Sequence, residues 1–145
     1  MCSSDLGANV EIREQVGAEN IFIFGLTAEE VVARRRRGLD ASDAVAASPE
    51  LEAALDAIAG GMFSPDDPDR FRHIADQIRY VDPYMTAADF ASYRAAQREV
   101  EALWTRPALW GRAAALNIAR IGWFSSDRTI ADYAADIWNV PVAYR

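Results

Sequence analysis

Two short apolar runs followed by about six amphipathic segments make up the hydrophobic pattern of this chain. Val10 and Ile12, and then Ile21-Phe22-Ile23-Phe24, are β-branched and aromatic runs bounded by Gly17 and Gly25, which predicts two short strands. The second run is apolar at every position, as a strand covered on both faces of a parallel sheet would be. A sheet needs more than two strands, so this run expects neighbours that the chain does not supply. Met1 to Leu6 show no periodicity and are expected to form a frayed end.

Past Gly25 the period changes to that of a helix. Thr27 and Glu30 have capping-box spacing, and Gly38 closes the segment. Ser48-Pro49 opens a second helix, with the serine as cap and the proline in its first turn. Leu51, Leu55 and Ile58 form its apolar face and Gly60-Gly61 its end. After the turn-rich connector Ser64-Pro65-Asp66-Asp67-Pro68, a third helix carries Phe71, Ile74 and Ile78 on one side. Asp82-Pro83 breaks the pattern. Thr86 with Asp89 then starts the longest helix, striped by Phe90, Tyr93, Gln97, Val100 and Trp104. Thr105 and Pro107 mark another start, with Trp110, Ala114, Ile118 and Ile121 on one face until Gly122. A last helix, capped near Ser126 or Asp127, carries Ile130, Tyr133, Ala134 and Ile137 and runs out before Pro141.

Two strands and about six helices are an odd inventory for a self-sufficient domain, because alternating α/β folds need more strands and helical bundles need none. The chain is therefore expected to be the mostly helical tail of a larger α/β protein. Its 145 residues have the length of one domain, and 51% apolar with 26% charged residues is an ordinary globular balance. No apolar run approaches the ~20 residues that span a bilayer, and no secretory leader is visible, so no membrane partner and a cytoplasmic address are expected.

Charge removes further options. A net charge of −7 argues against a nucleic-acid partner, which needs clustered positive charge. Cys2 is the single cysteine, so neither an intrachain disulfide nor a cysteine-built metal site is possible. All 15 basic residues are arginine. Without lysine there is no side-chain primary amine, and the chain alone cannot anchor pyridoxal phosphate as an imine.

Each candidate for chemistry has a stronger structural reading. The run Arg34 to Arg37 would suit phosphate clamping, yet it occupies the last turn of a predicted helix, where positive charge complements the helix dipole. His73, the lone histidine, is expected to be a partly exposed helical residue. Asp66, Asp67 and Asp69 lack the glycine and the closing glutamate of a calcium loop and read as turn and cap residues. Ser125, Ser126 and Asp127 have no nearby histidine and read as a helix cap. Trp104, Trp110, Trp123 and Trp138 lie on or beside apolar stripes, which suits core or interface packing better than sugar stacking. Gly7-Ala8-Asn9-Val10 is not followed by a phosphate-cradling glycine pattern. No catalytic, cofactor or metal residue is assigned.

At the level of whole segments the chain resembles the α-glucan phosphorylases (glycogen, starch and maltodextrin phosphorylases). The similarity rests on Gly7-Ala8-Asn9-Val10-Glu11-Ile12, Gly17-Ala18-Glu19-Asn20-Ile21-Phe22-Ile23-Phe24-Gly25, Gly61-Met62-Phe63-Ser64-Pro65, Phe124-Ser125-Ser126-Asp127-Arg128-Thr129-Ile130-Ala131 and Ile137-Trp138, in order. The resemblance implies a GT-B parent with two Rossmann-like domains, usually a homodimer. Such a parent cleaves terminal α-1,4-glucosidic bonds with orthophosphate to give glucose 1-phosphate. Its pyridoxal phosphate sits on a lysine and acts through its own phosphate group. That lysine segment and the substrate-binding residues lie upstream of the part that matches Gly7 to Val140. Residues 7–145 are then expected to be the C-terminal part of the second domain plus terminal helices that pack back on the first. Residues 1–6 resemble nothing upstream in the family and are expected to be an artificial start.

Three functions follow, from different classes. The first is an inactive C-terminal fragment of a phosphorylase, whose partner is the rest of that chain. The second is a non-catalytic helical protein-binding module. The third, the weakest, is a phosphate or nucleotide binder that uses Arg34 to Arg37.

Overall fold

The computed structural model describes residues 2–3, 7–38 and 40–141, the first pair by backbone alone. Met1, Ser4 to Leu6, Leu39 and residues 142–145 lie outside the described residues. In chain order the elements are β1 (Cys2–Ser3), α1 (Ala8–Val16), β2 (Ile23–Phe24), α2 (Ala28–Arg37), α3 (Ser42–Ala46), α4 (Pro49–Ala59), α5 (Arg72–Tyr80), α6 (Thr86–Trp104), α7 (Pro107–Arg120) and α8 (Ser126–Tyr133). Short 3₁₀ turns at Ala18–Asn20 and Ile121–Phe124 and a π turn at Ala134–Trp138 complete the fold.

The predicted first strand is a helix. Val10 and Ile12 fit a strand period of two, but two positions are too few to exclude a period of 3.6. In α1, Asn9, Ile12, Gln15 and Val16 turn inward at helical spacing and Val16 is fully buried, while Val10 faces solvent. The partner of Ile23–Phe24 is instead Cys2–Ser3, in parallel register Cys2 to Ile23 and Ser3 to Phe24. These two residues are thus paired where a frayed end was expected. The parallel pairing agrees with the continuous apolar character of the Ile21 to Phe24 run.

The helix boundaries follow local chemistry. In α2 both halves of the capping box form: Thr27 Oγ1 accepts from the Glu30 amide at 3.3 Å, and Glu30 Oε2 accepts from the Thr27 amide at 2.7 Å. Ser48 Oγ accepts from the Leu51 amide at 3.3 Å at the start of α4, with Pro49 in its first turn. The turn after α4 depends on Gly61 at φ 79, where a Cβ would lie 2.6 Å from the Pro68 Cα. α8 is capped one residue earlier than predicted, by the Ser125 hydroxyl on the Arg128 amide at 3.2 Å. The short helix α3 has no sequence signature and was not expected.

The start of α6 differs from expectation in its cap. Thr86 and Asp89 do not form a box; Asp82 does the capping, with Oδ2 accepting from the Ala87 and Ala88 amides at 3.0 and 3.2 Å. Asp82 and Met85 both take left-handed backbone angles to allow this (φ 48 and 60). Asp82 is 2% exposed.

α6 is the spine. Its first half closes a small core in which Ala41 and Val45 (α3 and its entry), Leu51 and Leu55 (α4), Ala75 (α5) and Ala87 are buried, with Ile58, Ile78 and Phe90 at the margin. Arg79 to Asp56 and Arg94 to Glu50 bridge the helices around it, each at 2.7 Å. Farther along, α7 returns along α6 and packs on α1. There Asn117 Nδ2 donates to the Asn20 carbonyl at 2.8 Å and Arg120 Nη1 to the Val16 carbonyl at 3.0 Å. α8 packs chiefly against the two irregular turns that flank it.

Candidate functional site

Two features stand out once the side chains are placed: a tethered junction between β2 and α6, and an uncovered apolar face along α7 and α8. At the junction the Leu26 amide donates to Asp89 Oδ1 at 2.8 Å and the Gly25 amide donates to Ser92 Oγ at 2.9 Å. Gly25 is required there: its φ is 96, and a Cβ would meet Asp89 Oδ2 at 2.6 Å. Phe24 packs edge-on against Tyr93, 5.3 Å between ring centres.

Burial pushes the Asp89 carboxyl above the usual carboxylate range, against the opposing pull of the Leu26 hydrogen bond. A carboxyl whose folded pKa is raised binds its proton more tightly in the folded state. Its contribution to stability is present at low pH and lost as pH rises through the raised value. Asp89→Asn keeps an acceptor for Leu26 and removes the half-buried charge, so it should stabilise the chain at pH 7. The advantage over the unsubstituted chain should vanish below about pH 4, where both side chains are neutral. Asp89→Ala should cost about 1–3 kcal/mol at pH 7 by orphaning the Leu26 amide. Urea unfolding of both variants at the two pH values checks the signs.

The second feature is exposed apolar surface. A compact 16 kDa monomer exposes about 7,400 Å², whereas this chain exposes 10163 Å². α7 turns Ala113, Leu116 and Asn117 inward, leaving much of its predicted stripe outside, with Ile118 76% and Ile121 41% exposed. On the last segment Ile130, Tyr133 and Ile137 are exposed as well, Ile137 at 67%. Trp104 and Trp110 stack edge to face at 4.9 Å, yet Trp104 remains 65% exposed. Exposed apolar side chains in this number suit an interface. The purified chain should therefore bind ANS strongly and self-associate with rising concentration. Sedimentation showing a monodisperse monomer without ANS binding would instead favour a free-standing helical module.

Most of the candidate residues fall where their structural readings put them; the expected cap at the start of α5 is the exception. Arg35 to Arg37 are exposed in the last turn of α2, and Arg34 Nη2 donates to the Asp40 carbonyl at 2.8 Å. His73 is exposed on α5. Asp66 pairs with Arg70 at 2.8 Å and Asp69 with Arg72 at 2.6 Å; neither caps α5, which begins without a side-chain cap. Ser126 and Asp127 open α8 behind the Ser125 cap. Trp123 lies beneath the Arg128 guanidinium, 4.0 Å from its ring centre, and Arg128 also donates to the Trp123 carbonyl and to Asp132. Trp138 stacks on Tyr133 at 6.1 Å. Among the described residues no three histidine, cysteine or acidic side chains could hold one metal ion, and no helix is long and apolar enough to cross a membrane. Asp82, Asp89 and Gly25, which do organise the structure, were not singled out as site residues from the sequence.

The described residues form a mostly helical chain with one two-stranded parallel sheet and exposed apolar side chains on its last helices. Residues 1–140 match the model of the carbohydrate phosphorylase family, and the chain belongs to that family. It is 45% identical over 134 residues to the brain form of glycogen phosphorylase from Homo sapiens, an alignment covering 92% of this chain and 16% of that protein. It is similar as well to the liver form from Ovis aries, 44% identical over 134 residues, and to the brain form from Bos taurus, 46% over 133. The chain thus spans 16% of the length of these relatives.

Proposed function

We infer that this chain is the C-terminal end of a glycogen phosphorylase, a GT-B enzyme that releases glucose 1-phosphate from α-1,4-glucan ends with orthophosphate. One observation carries the reading: 45% identity runs through 92% of the chain yet covers 16% of the relative. The residues of this chain then serve position and packing. α6 and the Asp89 tether fix β2 as an edge strand, and α7 and α8 present apolar surface to the upstream part of the parent.

The cofactor of the parent, pyridoxal phosphate, supplies proton transfer to and from the substrate phosphate when bound. The side chains present here do not fit it, since an imine needs a primary amine and no lysine occurs in the chain. The cofactor, the glucan, orthophosphate, the cytoplasmic setting and the homodimeric state belong to the proposed parent. The test is a chimera in which residues 7–140 replace the matching segment of the human brain form. Phosphorolysis of glycogen by the chimera within about tenfold of the unaltered enzyme is the expected result. A folded chimera that binds glycogen but forms no glucose 1-phosphate would refute the assignment.

A further inference from the structure

The junction of β2 with the start of α6 encloses a cavity of about 350 Å³ lined by Phe24, Tyr84, Thr86, Asp89, Phe90 and Tyr93. Four of these six are aromatic, and one is a carboxylate. Phe24 and Tyr93 meet edge to face at 5.3 Å, and Phe90 leans on Tyr93 at 6.4 Å, so three rings form one continuous wall. Tyr84, 83% exposed, stands at the mouth. No arginine lines this cavity.

The carboxylate is only half used by the fold. Oδ1 of Asp89 accepts from the Leu26 amide at 2.8 Å; Oδ2 lies over Gly25, 2.6 Å from where a Cβ would stand, and receives no hydrogen bond among the described residues. The charged groups near Asp89 are Asp82 just before α6, and Glu30 and Arg34 on α2, two carboxylates and a single guanidinium. Arg34 is already engaged with the Asp40 carbonyl. A neutral apolar guest would strip water from an unpaired carboxylate oxygen and give nothing in return, which is costly. A cation satisfies that oxygen and is attracted by the negative faces of the surrounding rings as well.

We propose that this cavity is a binding site for an organic cation, an alkylammonium or guanidinium group held between the Phe24, Phe90 and Tyr93 rings and the Asp89 carboxylate. The site is built wholly from residues of this chain and does not depend on the assignment of the parent. The same chemistry is offered by a small free ammonium compound or by the basic side chain of another protein.

Calorimetric titration of the 145-residue chain, at a concentration where sedimentation shows a folded monomer, with choline and with its neutral isostere 3,3-dimethylbutan-1-ol separates charge from shape. Choline should bind about tenfold more tightly than the alcohol. Asp89→Asn, which keeps the Leu26 acceptor, should erase most of that difference while leaving the affinity for the alcohol alone. Tyr84→Ala alters an exposed residue and cannot unfold the chain by opening its core, so it supplies an independent check: it should weaken choline several-fold with an unchanged melting temperature. Argininamide is the second arm. Tighter binding than choline points to a protein side chain as the natural guest, weaker binding to a small ammonium compound. Equal affinity for choline and the alcohol, or no binding of choline and argininamide alike to the folded chain, overturns the proposal.

Discussion

Incubated alone with orthophosphate and a maltooligosaccharide, the 145-residue chain is expected to form no glucose 1-phosphate above the uncatalysed background. Supplied with pyridoxal phosphate and then borohydride, it should acquire no reduced adduct on any side chain. The reason is chemical and does not depend on folding. An imine forms from an amine that can shed its proton, and every basic side chain except His73 is a guanidinium that cannot do so in a protein. Enzymes accelerate their reactions by a factor of ~10⁶ or more, so the contrast with an active phosphorylase is all or none rather than a matter of degree. A colorimetric assay for glucose 1-phosphate, run beside the chimera described above, checks it. A positive result from the chain alone would overturn the assignment of the chemistry to the upstream part of the parent.

Helices were legible in this sequence wherever a short-range device marked them. Thr27 with Glu30, Ser48 with Pro49, and Pro107 each act through atoms within one turn, so the residue types alone specify the outcome. The strand at Val10 and Ile12 was misread because charged residues alternate with the two apolar ones over a span too short to separate the two periods. Nothing local marks Cys2–Ser3 as the partner of β2; that pairing is a contact between distant parts of the chain. The α6 cap was misplaced for a related reason. Asp82 sits four residues outside the helix and reaches it only because Asp82 and Met85 take left-handed angles, and neither residue advertises that conformation.

The site divides the same way. The structural fates of Arg34 to Arg37, His73 and Ser125 follow from helix position and chain neighbours, and they were readable. Asp89 was read as a helix cap because its spacing from Thr86 fits one. Its actual role depends on Leu26 and Gly25, more than sixty residues earlier, and on an absent Cβ at Gly25 that lets the carboxylate come close. A long-range tether of this kind leaves one trace in a sequence, a glycine directly after an apolar run. By pattern alone Gly25 reads only as a strand boundary.

Leu55→Ala is expected to be the most damaging single substitution for the folded chain. Leu55 is 2% exposed on α4 and packs in the cluster of Ala41, Val45, Leu51, Ala75 and Ala87. Half of that cluster is alanine, whose side chains are too short to move into the space a leucine leaves. The cost should therefore lie in the upper part of the range of about 2–5 kcal/mol known for such truncations, which grows with the cavity that remains. Of the ten buried apolar residues among those described, five are alanine. The stability available is accordingly expected near the low end of the usual 5–15 kcal/mol, about 5 kcal/mol. Losing most of it should leave a large unfolded population at room temperature. Ile118→Ala provides the contrast: on a residue 76% exposed it should change stability by no more than about 0.5 kcal/mol while reducing ANS binding. Urea titrations followed by circular dichroism measure both. Equal costs at the two positions would mean that the core does not lie between α3, α4, α5 and α6.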